Sequence, residues 1–293
     1  MMRETRQGKA PVMLVALVWL VVAASAPAAA RTDAGGTIMD RVQATETNRA
    51  KWLGEAPSPL AETDPELAAM RDRLVYGEIL DQGTLDARQS ALVMLAALTA
   101  IQMSAPLEAQ AGSALRVGAS AADIRETLYQ CAPYVGFPRV EAALAVVNPV
   151  LKAHGAALPL EKQATVDEKT RLADGIAVQK KIFGGEHIDA LRANAPEGQK
   201  AVIANYLSAF CFGDLYTRKV LDLKMRELVT FSAIVALGGC DPQARAHAAA
   251  NVNVGNSKQN LVDALAVMLP IIGFPRTLNG LAAVNAAVPE TAR

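Results

Sequence analysis

This sequence is short of several things at once, and each shortage excludes a class of protein. Its 29 Lys+Arg balance 29 Asp+Glu for a formal net charge of +0 over 293 residues, so no basic surplus is present to neutralise nucleic-acid phosphates. Aromatic residues make up only 4 %, and runs of the β-branched and aromatic residues that favour strands are few. Three Cys and three His, widely scattered, cannot build a Cys-rich zinc site or a disulfide framework. Gly184-Gly185 and Gly238-Gly239 are isolated pairs without a flanking strand, so neither a phosphate loop nor a dinucleotide fingerprint is visible, and no cofactor or metal is expected. What is abundant is Ala within a 52 % hydrophobic composition, which predicts an all-α fold.

The N-terminus has its own pattern. Arg3, Arg6 and Lys9 precede an uncharged run from Pro11 to Ala24, and Ala28-Ala29-Ala30 supplies the small residues of a cleavage site. That apolar run is shorter than the roughly 20 residues a membrane-spanning helix needs. Residues 1–30 are therefore expected to be a cleavable signal, with the mature protein periplasmic or secreted. Residues 31–63, polar and carrying Pro57 and Pro59, are expected to be loosely ordered.

An internal repeat organises the remainder. Val117-Gly118-Ala119-Ser120 recurs as Val254-Gly255-Asn256-Ser257, and Gly136-Phe137-Pro138-Arg139 recurs as Gly273-Phe274-Pro275-Arg276. At that offset of 137, residues 107–149 match residues 244–286 at 15 of 43 positions. The expected domains are a first repeat over 64–153, a linker over 154–167 and a second repeat over 168–293. Each repeat reads as a buried central helix (Arg88 to about Gln102; Arg226 to about Leu237), then a helix starting at Pro106 or Pro242. A third helix is capped by Ser120 or Ser257, and a last one follows Gly-Phe-Pro. In the second half, Arg171 to Phe183 is amphipathic and Pro196 is expected to open a helix running to Cys211.

The string Arg171-Leu-Ala-Asp-Gly175, Ile182-Phe-Gly184, Phe212-Gly213-Asp214, Thr217-Arg218, Arg226-Glu227-Leu228 and His247 resembles the carboxymuconolactone decarboxylase family, which shares its fold with alkylhydroperoxidase D. The resemblance implies two tandem helical bundles, an oligomer of identical subunits and one of two chemistries. The decarboxylase branch implies cofactor-free work on a small lactone carboxylate. The alkylhydroperoxidase branch implies peroxide reduction through a Cys-x-x-Cys pair, a His and a Glu.

Residues for both are present. Cys240 precedes Asp241-Pro242 at a helix start, where orphan amides and the helix dipole favour a thiolate. His247 stands two turns on, and Glu227 on the preceding helix could orient it. The second Cys of the pair is replaced by Gln243, so a peroxidase would need another resolving thiol, for which Cys211 is the candidate, or an external thiol reductant. Asp214 and Arg218 match a decarboxylase element in which arginine could grip a substrate carboxylate, and Gln243, on the helical face of His247, is the third expected substrate-binding residue. Cys131 is expected to be an inert buried thiol, and His154 and His187 to be surface residues. In the first repeat Gln89, Met103 and Gln110 replace Glu227, Cys240 and His247, which predicts a structural partner completing a two-fold-related interface. Thiol-dependent peroxide reduction by Cys240, His247 and Glu227 is the leading expectation. A cofactor-free decarboxylase or lactone-processing enzyme using His247 and Arg218 comes second, and a non-catalytic binding protein third.

Overall fold

Each central helix is apolar nearly all round, and a helix of that kind is stable only when neighbours cover every face. In the computed structural model, which describes residues 41–289 apart from residues 56, 57 and 59, α3 (Ala87–Ala100) and α9 (Leu223–Leu237) fill that role and pack on each other. Leu92, Leu95, Leu228 and Phe231 are sealed from solvent. Around them lie α4 (Ser104–Arg116), α5 (Ala121–Val135) and α6 (Phe137–Ala153) in the first repeat, and α10 (Asp241–Asn253) and α11 (Lys258–Ala287) in the second. No strand occurs among the described residues.

The sequence repeat is a structural repeat, and its motifs have identifiable roles. Ser120 and Ser257 each accept from the backbone N–H three residues on, while Asp123 and Asn260 reach back, so both third helices begin with a full capping box. Gly136 (φ 85°, ψ 156°) and Gly273 (φ 71°, ψ 168°) sit in a region closed to side-chain-bearing residues, and the chain turns there between helices. Gly273 thus breaks α11 into counterparts of α5 and α6. The arginine that ends each motif serves a different purpose. Arg139 donates to the Ala100 carbonyl at 2.7 Å, and Arg276 to the Ala236 carbonyl at 2.8 Å. Each guanidinium satisfies an orphan carbonyl at the end of its own central helix.

The two repeats are not independent bodies. α5 of the first packs on α9 of the second, and α11 of the second packs on α3 of the first, so a single hydrophobic core runs through both. Each third helix packs on both central helices, so the two repeats expected as separate domains share one core.

Outside the repeated helices the expectations need adjustment. The expected signal segment, residues 1–30, together with residues 31–40, Pro57 and Pro59, lies outside the described residues. Residues 41–53, expected to be loose, form α1 (Arg41–Leu53), because Ala44 and Trp52 are both buried and anchor an otherwise polar helix. α2 (Pro65–Leu74) continues into a wider turn at Val75–Ile79 that packs against α1. After α7 (Arg171–Phe183) comes a further helix, α8 (Gly185–Ala193). Pro196 opens only a short 3-10 turn, Glu197–Gln199. The long element that follows, Ala201–Tyr216, winds as a π-helix and runs past Cys211 to Tyr216. Long π-helices are rare and concentrate at functional sites.

Candidate active site

α9 and α10 are adjacent, and Asn251 fixes how they sit by donating to the Glu227 carbonyl at 3.0 Å and the His247 carbonyl at 2.7 Å. That placement sets His247 Nδ1 2.8 Å from Glu227 Oε2. Glu227 is fully buried, and His247 retains 8 % exposure. A carboxylate can only accept, so Nδ1 carries the proton and Nε2 presents its lone pair. The ring is held edge-on by Tyr134, at 5.4 Å between centroids, and by Phe183 at 5.5 Å. Glu227 therefore orients His247, as the sequence suggested.

A polar chain that the sequence did not reveal lies behind the dyad. Tyr216 donates to Glu227 Oε1 at 2.7 Å, and its oxygen lies 2.9 Å from Thr230 Oγ1 and 3.1 Å from the Tyr134 hydroxyl. Gln130 donates to Thr230 at 3.1 Å and accepts from Arg226 at 2.8 Å, and Arg226 approaches Glu126 at 3.5 Å. Burial, the nearby Glu227 carboxylate and the Cys211 thiol hold the Tyr216 phenol well above its ordinary range. Burial does the same to Tyr134, helped by Cys211, Tyr216 and Glu227. Both phenols remain protonated donors, and Tyr216 and His247 each engage one oxygen of the Glu227 carboxylate. Arg226 is itself fully buried, and desolvation pulls its guanidinium down to about 10 despite Glu126.

The cysteines are distributed differently from expectation. Cys240 is half-buried before α10, its sulfur 3.5 Å from the Gly238 carbonyl. Seven helical residues place His247 about 10 Å farther along the axis, so thiol and imidazole do not meet. The nearby cavity walls come from Ile234, Ala244 and Arg276, not from His247. Cys211 instead joins the histidine network, its sulfur 3.4 Å from the Tyr134 hydroxyl, and burial pushes its thiol up to about 12. Cys131 is buried against the Thr127 carbonyl with its thiol also raised to about 12, a proton-bound and unreactive state. Gln243 is exposed one turn before His247. His154 and His187 are exposed as well.

Neither expected carboxylate-site residue is free. Asp214 is gripped by Arg171, whose Nε donates to Oδ1 at 2.7 Å and whose Nη2 bonds Oδ2. The contact is possible because α7 and the π-helix nearly touch. A Cβ on Gly175 would fall 2.0 Å from the Ser208 carbonyl oxygen, and one on Gly213 would fall 2.0 Å from that of Arg171. The Arg-Leu-Ala-Asp-Gly and Phe-Gly-Asp elements are thus two sides of one helix crossing. Arg218 forms a two-pronged pair with Glu126 at 2.7 and 2.8 Å, which raises the arginine's pKa.

Glu126, Gln130 and Tyr134 all belong to α5, so the first repeat supplies the second repeat's site with polar groups. The matching of Gln89 to Glu227 also needs correction. Asp86 and Asp222 are the equivalent N-caps of α3 and α9, an offset of 136, which sets Glu227 opposite Ala91. Gln89 is instead the reciprocal arm of the Asp86 capping box, accepting from the Asp86 N–H at 2.9 Å. A signal for the missed residues existed in the repeat. At the 137 offset Arg125, Gln130 and Tyr134 face Val262, Val267 and Ile271, polar side chains where the sister copy is apolar. Among the described residues no group of three His, Cys, Asp or Glu is arranged to hold a metal ion.

Comparison with known proteins agrees with this architecture. The carboxymuconolactone decarboxylase family model matches twice, over residues 65–149 and 202–286. The chain is 26 % identical over 110 residues to 4-carboxymuconolactone decarboxylase of Acinetobacter baylyi, an alignment covering 38 % of this chain and 81 % of that protein. It also superimposes with a TM-score of 0.50 and 20 % identity on a crystal structure assigned to a gamma-carboxymuconolactone decarboxylase subunit of Burkholderia xenovorans LB400. That superposition covers 86 % of this chain and 99 % of the other and reflects shared fold. With two family matches on two helical repeats, the chain belongs to the carboxymuconolactone decarboxylase family.

Proposed function

We propose that this protein is a cofactor-free acid–base enzyme of the carboxy-lyase or lactone-processing type, acting on a small carboxylated substrate, with His247 as the proton-transfer group. The observation that carries the reading is the 2.8 Å bond from His247 Nδ1 to the buried Glu227 carboxylate. It fixes the tautomer, aims Nε2 and stabilises the imidazolium formed when Nε2 takes a proton. Tyr216, donating to the other carboxylate oxygen at 2.7 Å, keeps Glu227 from turning away. The similarity to 4-carboxymuconolactone decarboxylase points to lactone carboxylates as the first substrates to try. The N-terminal pattern supports action outside the cytoplasm, which detection of the mature protein in periplasmic extracts or culture medium would test.

Release of carbon dioxide from carboxylated lactones should fall at least about 100-fold in His247→Ala and Glu227→Gln while the helical circular dichroism is retained. Turnover in His247→Ala equal to the parent's would sink the assignment.

Thiol-dependent peroxide reduction ranks second. Cys240 supports it as the least buried of the three thiols, standing at a helix start. Separation from His247 leaves that thiol without the adjacent base the reaction uses. Hydroperoxide consumption with a dithiol reductant, compared in the parent and Cys240→Ser, discriminates the two readings, since only the thiol reading requires the rates to differ.

A further inference from the structure

The linker between the repeats roofs a second cavity, of about 620 Å³, that the histidine site does not use. Three cations, Arg125, Lys162 and Arg218, stand in its wall, and no acidic side chain does. The surrounding charges do not cancel them. Glu126 is shared among Arg218, Arg226 and Arg125, the last at 3.3 Å, so three guanidinium groups face one carboxylate. Lys162 is exposed at the mouth. Arg125 is only 9 % exposed; its Nη2 donates to the Glu161 carbonyl at 2.8 Å, while its Nε is buried with no partner. With one carboxylate shared among three guanidinium groups and Lys162 beside them, this wall keeps positive charge for an anion to answer. The remaining wall is mostly apolar, from Leu144, Leu158, Pro159, Leu160, Ala164 and the ring of Tyr129, with the neutral amides of Asn148 and Gln163.

We propose that this cavity binds an apolar monocarboxylate: the carboxylate between the Arg125 guanidinium and Lys162, the hydrocarbon body against Tyr129 and the three leucines. A phosphate would leave the leucine wall unused, and a neutral apolar molecule would leave the positive charge of Arg125 and Lys162 unanswered. The linker is held in place to form the roof, with the Lys219 N–H donating to the Gln163 carbonyl at 3.1 Å and Thr165 Oγ1 to the Thr217 carbonyl at 2.8 Å. The site is separate from His247. Arg125 and Tyr134 are nine residues apart on α5, about 13 Å along the helix. It is also peculiar to one copy, since Val262 occupies the position matching Arg125.

Calorimetric titration with hexanoate tests the site directly. Saturable binding is expected in the parent and in His247→Ala, with at least a tenfold loss of affinity in Arg125→Met and in Lys162→Met. The exposed Lys162 makes the second variant free of folding concerns. Failure of hexanoate to bind, equal affinity in parent and both variants, or loss of binding in His247→Ala would overturn the proposal. So would binding of hexan-1-ol or inorganic phosphate as tight as that of hexanoate. None of these outcomes depends on catalysis at His247.

Discussion

Along the third helix the first repeat carries Arg125, Glu126, Gln130 and Tyr134, where the second carries Val262, Asp263, Val267 and Ile271. Both acids reach across to the loop that precedes the other repeat's central helix, but they meet different partners there. Glu126 meets Arg218 and the buried Arg226, whereas Asp263 accepts from the N–H and hydroxyl of Thr84, each at 2.6 Å. One backbone plan therefore supports a charged, extended network on one side and a local neutral contact on the other. The copy without the histidine still takes part, because its α5 furnishes the polar groups behind His247 of the other copy.

Breaking the two acids separately gives the largest contrast. Glu126→Gln leaves Arg226 as a buried charge without a carboxylate and should cost about 3–5 kcal/mol. Asp263→Asn weakens hydrogen bonds to neutral donors and should cost only about 1–2 kcal/mol. Urea unfolding of both variants checks the order, and equal losses would mean that the buried charge is not what distinguishes the repeats. Next comes Tyr134→Phe, which removes the hydroxyl that links Cys211 to Tyr216 but keeps the ring against His247. Turnover in the proposed lactone reaction should fall about tenfold, the equivalent of one hydrogen bond, and Ile271→Phe at the matching position should leave it unchanged.

Alkaline pH probes the buried thiols. Cys131 and Cys211 are each raised from 9.0 to about 12 in the folded chain. Above pH 9 the unfolded chain sheds these protons while the native state keeps them, so their contribution to stability is complete below pH 9 and is lost between pH 9 and about 12. Cys211→Ala should flatten the fall in urea midpoint over that window, and an unchanged fall would show that the buried thiol does not contribute to it. The smallest effect concerns a loop. Val220 holds φ at +79°, strained for a β-branched residue, where the 137 offset places Gly83 in the first repeat, also at positive φ. Val220→Gly should raise stability by about 1 kcal/mol, relief of strain exceeding the added flexibility of the unfolded chain. A loss in thermal or urea midpoint would show that the neighbouring Arg218–Glu126 pair needs the valine.

Much of the scaffold was readable from local chemistry. Ser120 and Ser257 with their partners three residues on announce capping boxes, and Gly-Phe-Pro-Arg marks the same turn twice. Each such signal needs only neighbours along one helix. The pairing of Glu227 with His247 was also accessible, since both stand in a recurring motif order. Tyr134, Gln130 and Glu126 were not, because their partners lie about 80 to 100 residues away and are reached only when α5 crosses to α9. The same crossing withdrew Arg218 from the free surface, and the contact of α7 with the π-helix withdrew Asp214.

By itself, then, the sequence determined an all-helical chain of two related units, their caps and turns, and the placement of a histidine and a glutamate on consecutive helices of the second. Those features follow from hydrophobic period, capping and glycine conformation, all of which act over a few residues. Only the tertiary structure decided that the units share one core, that Cys211 joins the network around His247, and that polar groups of the first unit complete the second unit's site. Hydrogen bonds and ion pairs are set by distances of about 3 Å, and such distances between remote residues exist only once the helices have packed.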